Sequence, residues 1–504
     1  MQNKKVVIIG AGISGLTAGI YALDNGFDVE IYEKNPVAGG LCTGWKRDGI
    51  FIDGCAHWIV GTNPRSDLYP VWYHIGGVNE NIKVYDNEYF CKYHFDNNTF
   101  TLYSDLDKFY EELYQISPAD NKIIKKIIKH IENYQYTRVP LSKPIEMMNI
   151  FELIKFGIKL LPLLTSYVSS RHESLEELGN KFKNKGLKEL FTYVLDNPKY
   201  NCHAFYYTMG TLSKNDAGTL EGGSFDLSNR VKEKFISLGG KLFLNSPVKR
   251  IVIEGNKASG IELENGKFIE SDYIIAATDI YHTFSKLIGN AYMSEDYKAM
   301  QNKDAYRLNS TFFLAYKFDK ENIKYDGTEV FKIDDIKIGN SVRNQLRIRF
   351  SKDYFSVMIH ADYEESEYIY SLSKEEYKTF KNNLAKEVKE KLIKVSDLKD
   401  EDFHIIDVAT PKTYERYTNA NQGSFMTYVS TKHSHGLLNS NHNMKIKNLV
   451  FASQWVMAPG GLPIAIMSGK HAAVRLCKLN KQKFVNKEEK KAEFYTCKHK
   501  IKFH

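Results

Sequence analysis

Cysteine is scarce. Six occur in 504 residues, at positions 42, 55, 91, 202, 477 and 497, and none forms a Cys-x-x-Cys pair. That argues against a disulfide framework or a zinc site and for reduced thiols. No run of 18 uncharged apolar residues occurs, so no membrane-spanning helix is expected. There is no internal repeat, no low-complexity linker and no basic motif interleaved with aromatics, so nucleic acid is not an expected partner. The formal charge of +8 is modest for this length and compatible with an acidic lipid surface. The N-terminal "MQNKKVVIIGAG" enters a strand at once. Without a charged segment and a cleavable apolar run before it, export is not expected, and the chain reads as cytoplasmic, with membrane association open.

Aromatic and aliphatic residues are plentiful: 43% of the chain is hydrophobic, with 33 Tyr and 29 Phe. That supplies a large core, and the length suits two or three domains.

The first motif lies in "KKVVIIGAGISGLTAGIYALDNGFDVEIYEK". Residues 6–9 are an apolar, mostly β-branched run, as a buried parallel strand requires. The turn Gly10, Ala11, Gly12, Ile13, Ser14, Gly15 is a GxGxxG. Its first glycine makes the tight turn, its second lets the backbone meet a pyrophosphate, and its third lets the helix pack on the strand. A helix over 13–24 aims its N-terminal N–H groups at that phosphate. Gly26 stops the helix, residues 29–32 form the second strand, and Glu33 stands at its end. A carboxylate there suits a ribose hydroxyl and repels a 2′-phosphate. The order strand, GxGxxG, helix, strand, acid predicts dinucleotide binding on a Rossmann-type α/β domain. Spacing alone does not separate FAD from NAD.

Beyond Glu33 and Lys34 the chain runs "NPVAGGLCTGWKRDGIFIDGCAHWIVG". With its second glycine pair, Gly39 and Gly40, this stretch resembles the phytoene desaturase, carotenoid isomerase and retinol saturase branch of the flavin amine-oxidase-like superfamily. The resemblance implies FAD, with Gly39, Gly40 and Leu41 along its pyrophosphate and the segment holding Gly49, Asp53 and Gly54 passing the flavin. Two more blocks are similar to the family. In residues 218–280 a glycine pair (Gly222, Gly223), a helix over 227–238, Val248, Gly255, Gly266 and residues 276–279 occupy the family's places, and Val248 would meet the adenine through its backbone. In "FASQWVMAPGGLPIA" (451–465) Gly460 and Gly461 would let the chain pass the flavin. Leu462, Pro463 and Ile464 would open a helix facing the ring's carbonyl edge. Relatives usually carry an acid at the end of the preceding strand. Here the pair is Ser453 and Gln454, a glutamine shared with the retinol saturase branch. "ATPKTYERYTNANQGSF" (409–425) also looks like a family segment. Independently of the resemblance, "EGNKASGIELENGKF" alternates and carries Gly-Asn and Asn-Gly pairs, which predicts a hairpin.

These blocks divide the chain. The FAD-binding domain is assembled from discontinuous segments, 1–75, 215–290 and 445–480. The inserts 76–214 and 291–444 would build an α+β substrate domain with a mixed sheet and helices. In the second insert "STFFLAYKFD" and "YFSVMIHADY" read as strands, and residues 373–395 as a helix with Tyr377, Phe380, Leu384 and Val388 on one face. The lysine-rich residues 481–504 form a tail. In the first insert residues 149–168 read as an apolar lid helix with a polar stripe at Glu152, Lys155 and Lys159. It is expected to bury its apolar face against the substrate domain, the alternative being to lie in a membrane leaflet. Pro162 is expected to kink or end it.

The resemblance implies an FAD-dependent oxidoreductase acting at a C–C bond of a hydrophobic polyene, isoprenoid or other lipid-like molecule. The direction is open between desaturation, saturation and redox-neutral isomerisation. The alternatives are an amine-oxidase-type flavoenzyme acting on a polar amine and a non-catalytic flavin-holding scaffold. No acid–base pair stands out. His57 in "GCAHWIVG" is the candidate proton donor, against a structural histidine. Tyr206 and Tyr207 are candidates for the substrate channel. Cys42 and Cys55 need no role, and no metal site is expected around His433, His435 and His442.

Overall fold

The computed structural model describes residues 3–55, 58–318, 323–434 and 439–489. Five short strands, β1 (Lys5–Ile9), β2 (Asp28–Tyr32), β3 (Lys241–Phe243), β4 (Tyr273–Ala276) and β5 (Leu449–Phe451), form one parallel sheet in the order β3-β2-β1-β4-β5. Both faces are covered, and the central strands β1, β4 and β5 are accordingly apolar over most of their length. Helix α1 (Ile13–Asp24) connects β1 to β2. On its side of the sheet lie the helix Gly223–Ser237 and the C-terminal helix, here α3 (Leu462–Leu479). Small residues set these approaches. A Cβ on Gly469 would come within 2.5 Å of Ser14 O, and one on Gly19 within 2.7 Å of the Phe235 ring. The opposite face carries the antiparallel strands Val248–Glu254, Lys257–Leu263 and Phe268–Glu270. The expected hairpin turns through Gly255 and Gly266, both at positive φ.

A second sheet has seven strands. Tyr89–Phe95 and Asn98–Tyr103 come from the first insert, the other five from the second. Side-chain alternation splits its two faces. Phe312, Leu314, Leu346, Ile348 and Val357 pack on the helix Lys374–Val395 through Leu384, Val388 and Leu392. The opposite face carries Thr311, Phe313, Arg347, Met358 and His360, and it forms the floor of a cavity. Helices Leu106–Ile116, Asn121–Tyr134, Lys185–Tyr193 and Cys202–Leu212 build a helical layer beside it.

The lid helix departs from expectation. It is α2 (Ile150–Ser170), begun by a capping box between Asn149 and Glu152, and only Ser166 and Ser170 are buried. Phe156, Leu160 and Leu163 are half-buried against the body. The apolar face expected to be covered is instead open: Phe151 is 79% exposed, Ile158 60%, and Ile154, Leu161, Leu164 and Val168 are more than half exposed. Pro162 does not end the helix. It removes one N–H, and the Ile158 carbonyl left over lies on an exposed turn where water can reach it.

Candidate functional site

A single cavity of about 890 Å³ runs from the glycine-rich turn to the floor of the seven-stranded sheet. Ile9, Gly10, Tyr32, Glu33, Ala277 and Ser453, at or just past the carboxyl ends of the parallel strands, open into it. That is where open α/β sheets place ligands.

The three motif glycines differ physically. Gly10 has φ +100°, and a Cβ there would strike Ala277 O at 2.8 Å. A Cβ on Gly15 would lie 2.1 Å from Gly10 O, so the helix can pack on the turn only without a side chain. Gly12 is different: its backbone is ordinary, at φ −70°. A Cβ would meet nothing nearer than Gly39 O and Gly40 Cα, at 4.0 Å. Protein packing does not demand glycine at Gly12; the space over it is left open to the cavity. Gly39, at φ +121°, donates to Ala11 O and bridges to Gly12, so the two glycine turns are tied together. Gly40 and Leu41 also line the cavity.

Glu33 is buried. Its Oε2 accepts from Ala11 N at 2.9 Å, and its Oε1 from Asn35 N at 2.9 Å and Asn35 Nδ2 at 2.8 Å. The carboxylate is thereby fixed at the lip of the turn. Lys34 donates to Arg416 O and Asn419 Oδ1, and burial lowers its pKa. Val248 lines the cavity beside Pro247 and Glu264. At the far side Gln454 Oε1 accepts from Gly461 N at 2.8 Å and closes the loop that holds Gly460 and Gly461 at positive φ. That loop delivers Leu462 and Pro463, the first turn of α3, to the cavity.

Several residues stand elsewhere than expected. Asp53 accepts from Ser224 N at 2.9 Å and from Cys55 N at 3.1 Å. It ties its segment to the start of the helix Gly223–Ser237, while Gly54 and Cys55 reach the cavity. Gly222 and Gly223 do not line the cavity; they begin that helix. Tyr207 lines it, but Tyr206 is buried in the helical layer, stacked on His130. His57 and His435 lie outside the described residues. Trp58, the neighbour of His57, lines the cavity edge-to-face with Phe90. The family pattern places Asp279 in the return segment but gives it no role. It is buried, accepts from Tyr281 N, His282 N and Asn421 N, and lines the cavity. Burial raises its carboxyl to about 6 against those hydrogen bonds. Its place after β4, in the "AATD" return, was the available signal.

A family model described as flavin containing amine oxidoreductase matches residues 13–477. The chain belongs to this family. Among curated relatives, this flavin amine oxidoreductase is 21% identical to 4,4'-diaponeurosporene oxygenase of Staphylococcus aureus (strain bovine RF122 / ET3-1), over 94% of this chain and 98% of that one. It is 23% identical to 1-hydroxycarotenoid 3,4-desaturase of Flavobacterium sp. (strain P99-3), over 93% and 98%. Among solved structures it is similar to putrescine oxidase bound to putrescine, with TM-score 0.60, 15% identity and coverage of 95% and 99%. It is also similar to cyclohexylamine oxidase from Brevibacterium oxydans IH-35A, with TM-score 0.57, 14% identity and coverage of 95% and 100%. Those structures share its fold. The protein is an FAD-dependent oxidoreductase.

Proposed function

We propose that this enzyme adds or removes hydrogen at a C–C bond of a hydrophobic polyene or isoprenoid chain. The observation that carries the reading is the continuity of one cavity between the glycine turns and a wall of Trp58, Phe90, Tyr207, Phe313, Met358 and Val429. The carotenoid substrates named for its relatives agree with it. An amine substrate finds less support, because Asp196, a carboxylate on that wall, is paired with Arg347 at 2.8 Å.

In this reading Gly12, Ile13 and Ser14 at the start of α1, with Gly39, Gly40 and Leu41, hold the FAD pyrophosphate through backbone N–H groups. The open space over Gly12 fits a ligand pressed against the backbone. Glu33 takes the ribose hydroxyls, Lys34 and Val248 flank the adenine end, and Gln454 shapes the loop that brings Gly461, Leu462 and Pro463 to the flavin. FAD, when bound, supplies the two-electron acceptor or donor. The chain's own residues position the substrate. Phe313 packs with Leu41 and Trp45 of the second glycine turn and its hairpin, so this strand of the floor is fixed against the FAD loop. The aromatic and aliphatic wall holds an extended chain there and excludes water. His57 remains the proposed proton donor.

Such a substrate lives in lipid, and α2 supplies a means of reaching it. Its exposed stripe is flanked by exposed Lys155 and Lys159, whose stems can lie along the apolar face while their charges meet anionic headgroups. The Tyr167 ring of α2 lies 4.7 Å from that of His203. His203 sits one turn before Tyr207 and next to Ala204, both on the cavity wall. The bilayer is therefore the proposed partner of α2, although among the described residues no helix is long and apolar enough to cross it.

The test is anaerobic incubation of the FAD-loaded enzyme with a defined acyclic polyene. Bleaching or reoxidation of the flavin, with a two-hydrogen mass change in the lipid, is expected. A loaded enzyme that leaves every polyene unchanged and turns over an amine would overturn the reading.

A further inference from the structure

Across the floor from the glycine turns, the cavity wall carries a charged patch. Arg347 and His360 face the cavity from the sheet, and Asp196 and Tyr200 face it from the segment between the helices Lys185–Tyr193 and Cys202–Leu212. Arg347 is only 6% exposed. Its Nε donates to Asp196 Oδ2 at 2.8 Å, its Nη2 donates to Val194 O at 2.7 Å, and its guanidinium lies over the Phe90 ring at 5.3 Å. Asp196 Oδ1 accepts from Gln345 Nε2 at 2.6 Å. The Asp196 backbone has φ +65°, an unfavourable region for a residue with a side chain. His360 Nε2 faces Asn197 Nδ2 at 3.2 Å and Tyr200 OH at 3.4 Å.

Strand register locates the patch. Phe313 pairs with Met358, and Met358 with Arg347. With strands about 4.8 Å apart, Arg347 is roughly 10 Å across the floor from Phe313, the residue packed against the FAD loop.

Holding this pair costs desolvation, and a buried ion pair is commonly no more stabilising than apolar residues of similar volume. A plain hydrocarbon lying over it would strip water from charged groups without replacing a hydrogen bond. A carboxylate would meet Asp196, and an ammonium would meet Arg347. A neutral hydroxyl both donates and accepts, so it can serve the two partners at once. We propose that Arg347 and Asp196 form a subsite for a hydroxyl carried by the hydrophobic substrate, one chain segment away from the reacting bond. The inference rests on the polyene reading above and narrows it to oxygenated chains.

The test compares three C20 probes on the FAD-loaded protein under anaerobic conditions: geranylgeraniol, the hydrocarbon of the same skeleton, and geranylgeranoate. Binding is read by tryptophan quenching and by perturbation of the flavin spectrum. Geranylgeraniol should bind at least about tenfold more tightly than either other probe, as a hydrogen bond to charged groups provides. Arg347→Met and Asp196→Asn, checked for wild-type flavin content and melting temperature, should lose this ranking, the ratio of alcohol to hydrocarbon affinity falling below about threefold. Equal binding of alcohol and hydrocarbon to the wild type overturns the subsite and leaves the polyene reading standing. Failure of all three to bind overturns both. The wild-type ranking decides the matter even where a variant does not fold.

Discussion

Gly12 and Gly15 stand three residues apart in one turn and are glycines for different reasons. Gly15 is required by the protein, because any Cβ there would lie 2.1 Å from Gly10 O. Gly12 is free of such contacts and faces the cavity. The two substitutions should therefore fail differently. Gly12→Val should fold, with an unchanged urea midpoint for the apoprotein, but should purify colourless because its side chain occupies the pyrophosphate position. Gly15→Ala should cost about 3 kcal/mol of stability from backbone overpacking, seen as a lowered midpoint before any flavin is added. If Gly12→Val keeps its flavin, the turn does not bind as proposed. Asp53 shows the reverse case, a residue whose family position suggests the cofactor but whose hydrogen bonds serve the start of a helix.

At the level of elements, α2 and α3 are opposites. α3 is buried along most of its length and meets α1 through Gly469. Gly469→Val should cost about 1–3 kcal/mol, measured by thermal melting, because Ser14 and Thr17 cannot retreat without moving α1. α2 is nearly naked. Ile154→Glu combined with Ile158→Glu should leave melting temperature and flavin content unchanged and should lower the liposome-bound fraction about tenfold or more in flotation, since two aliphatic contacts of roughly 1 kcal/mol or more each are lost. Wild-type protein that stays with the soluble fraction on anionic vesicles would sink the membrane role of this helix. The spacing of its residues marks α2 as an apolar helix but does not say which side faces outward. Its amphipathic face satisfies either a protein core or a lipid surface equally well.

Across the described residues burial lowers the pKa of six histidines, His442 among them. His130, His203 and His282 are pushed down to about 4, and His360 and His471 to about 3. In the unfolded chain each titrates near 6.5. Between roughly pH 6.5 and 4 the unfolded state therefore binds more protons, so stability is present above 6.5 and is lost as pH falls through that window. Denaturation midpoints should drop steeply between pH 7 and 4.5. The His130 ring nitrogens are buried without a hydrogen-bond partner, and the ring stacks on Tyr206. His130→Phe should keep the stack and flatten the slope by about 1.4 kcal/mol per pH unit, one proton's worth. An unchanged slope would mean that His130 does not contribute to it.

By itself the sequence determined the dinucleotide turn, its helix and flanking strands, the hairpin after Val248 and the strand-to-helix passage at Gly461. Each is written in neighbouring residues: a steric requirement for glycine, a period of two or 3.6, a turn pair. Only the tertiary structure decided what those pieces enclose. The cavity floor exists because strands from positions 310 to 361 pair in a register that turns Phe313, Met358 and Arg347 to one face. Arg347 meets Asp196 across 151 residues of chain, and no local pattern encodes that distance. The open face of α2 follows in the same way. Whether an apolar stripe is covered depends on which other surfaces arrive beside it, and that is settled by the packing of the whole chain.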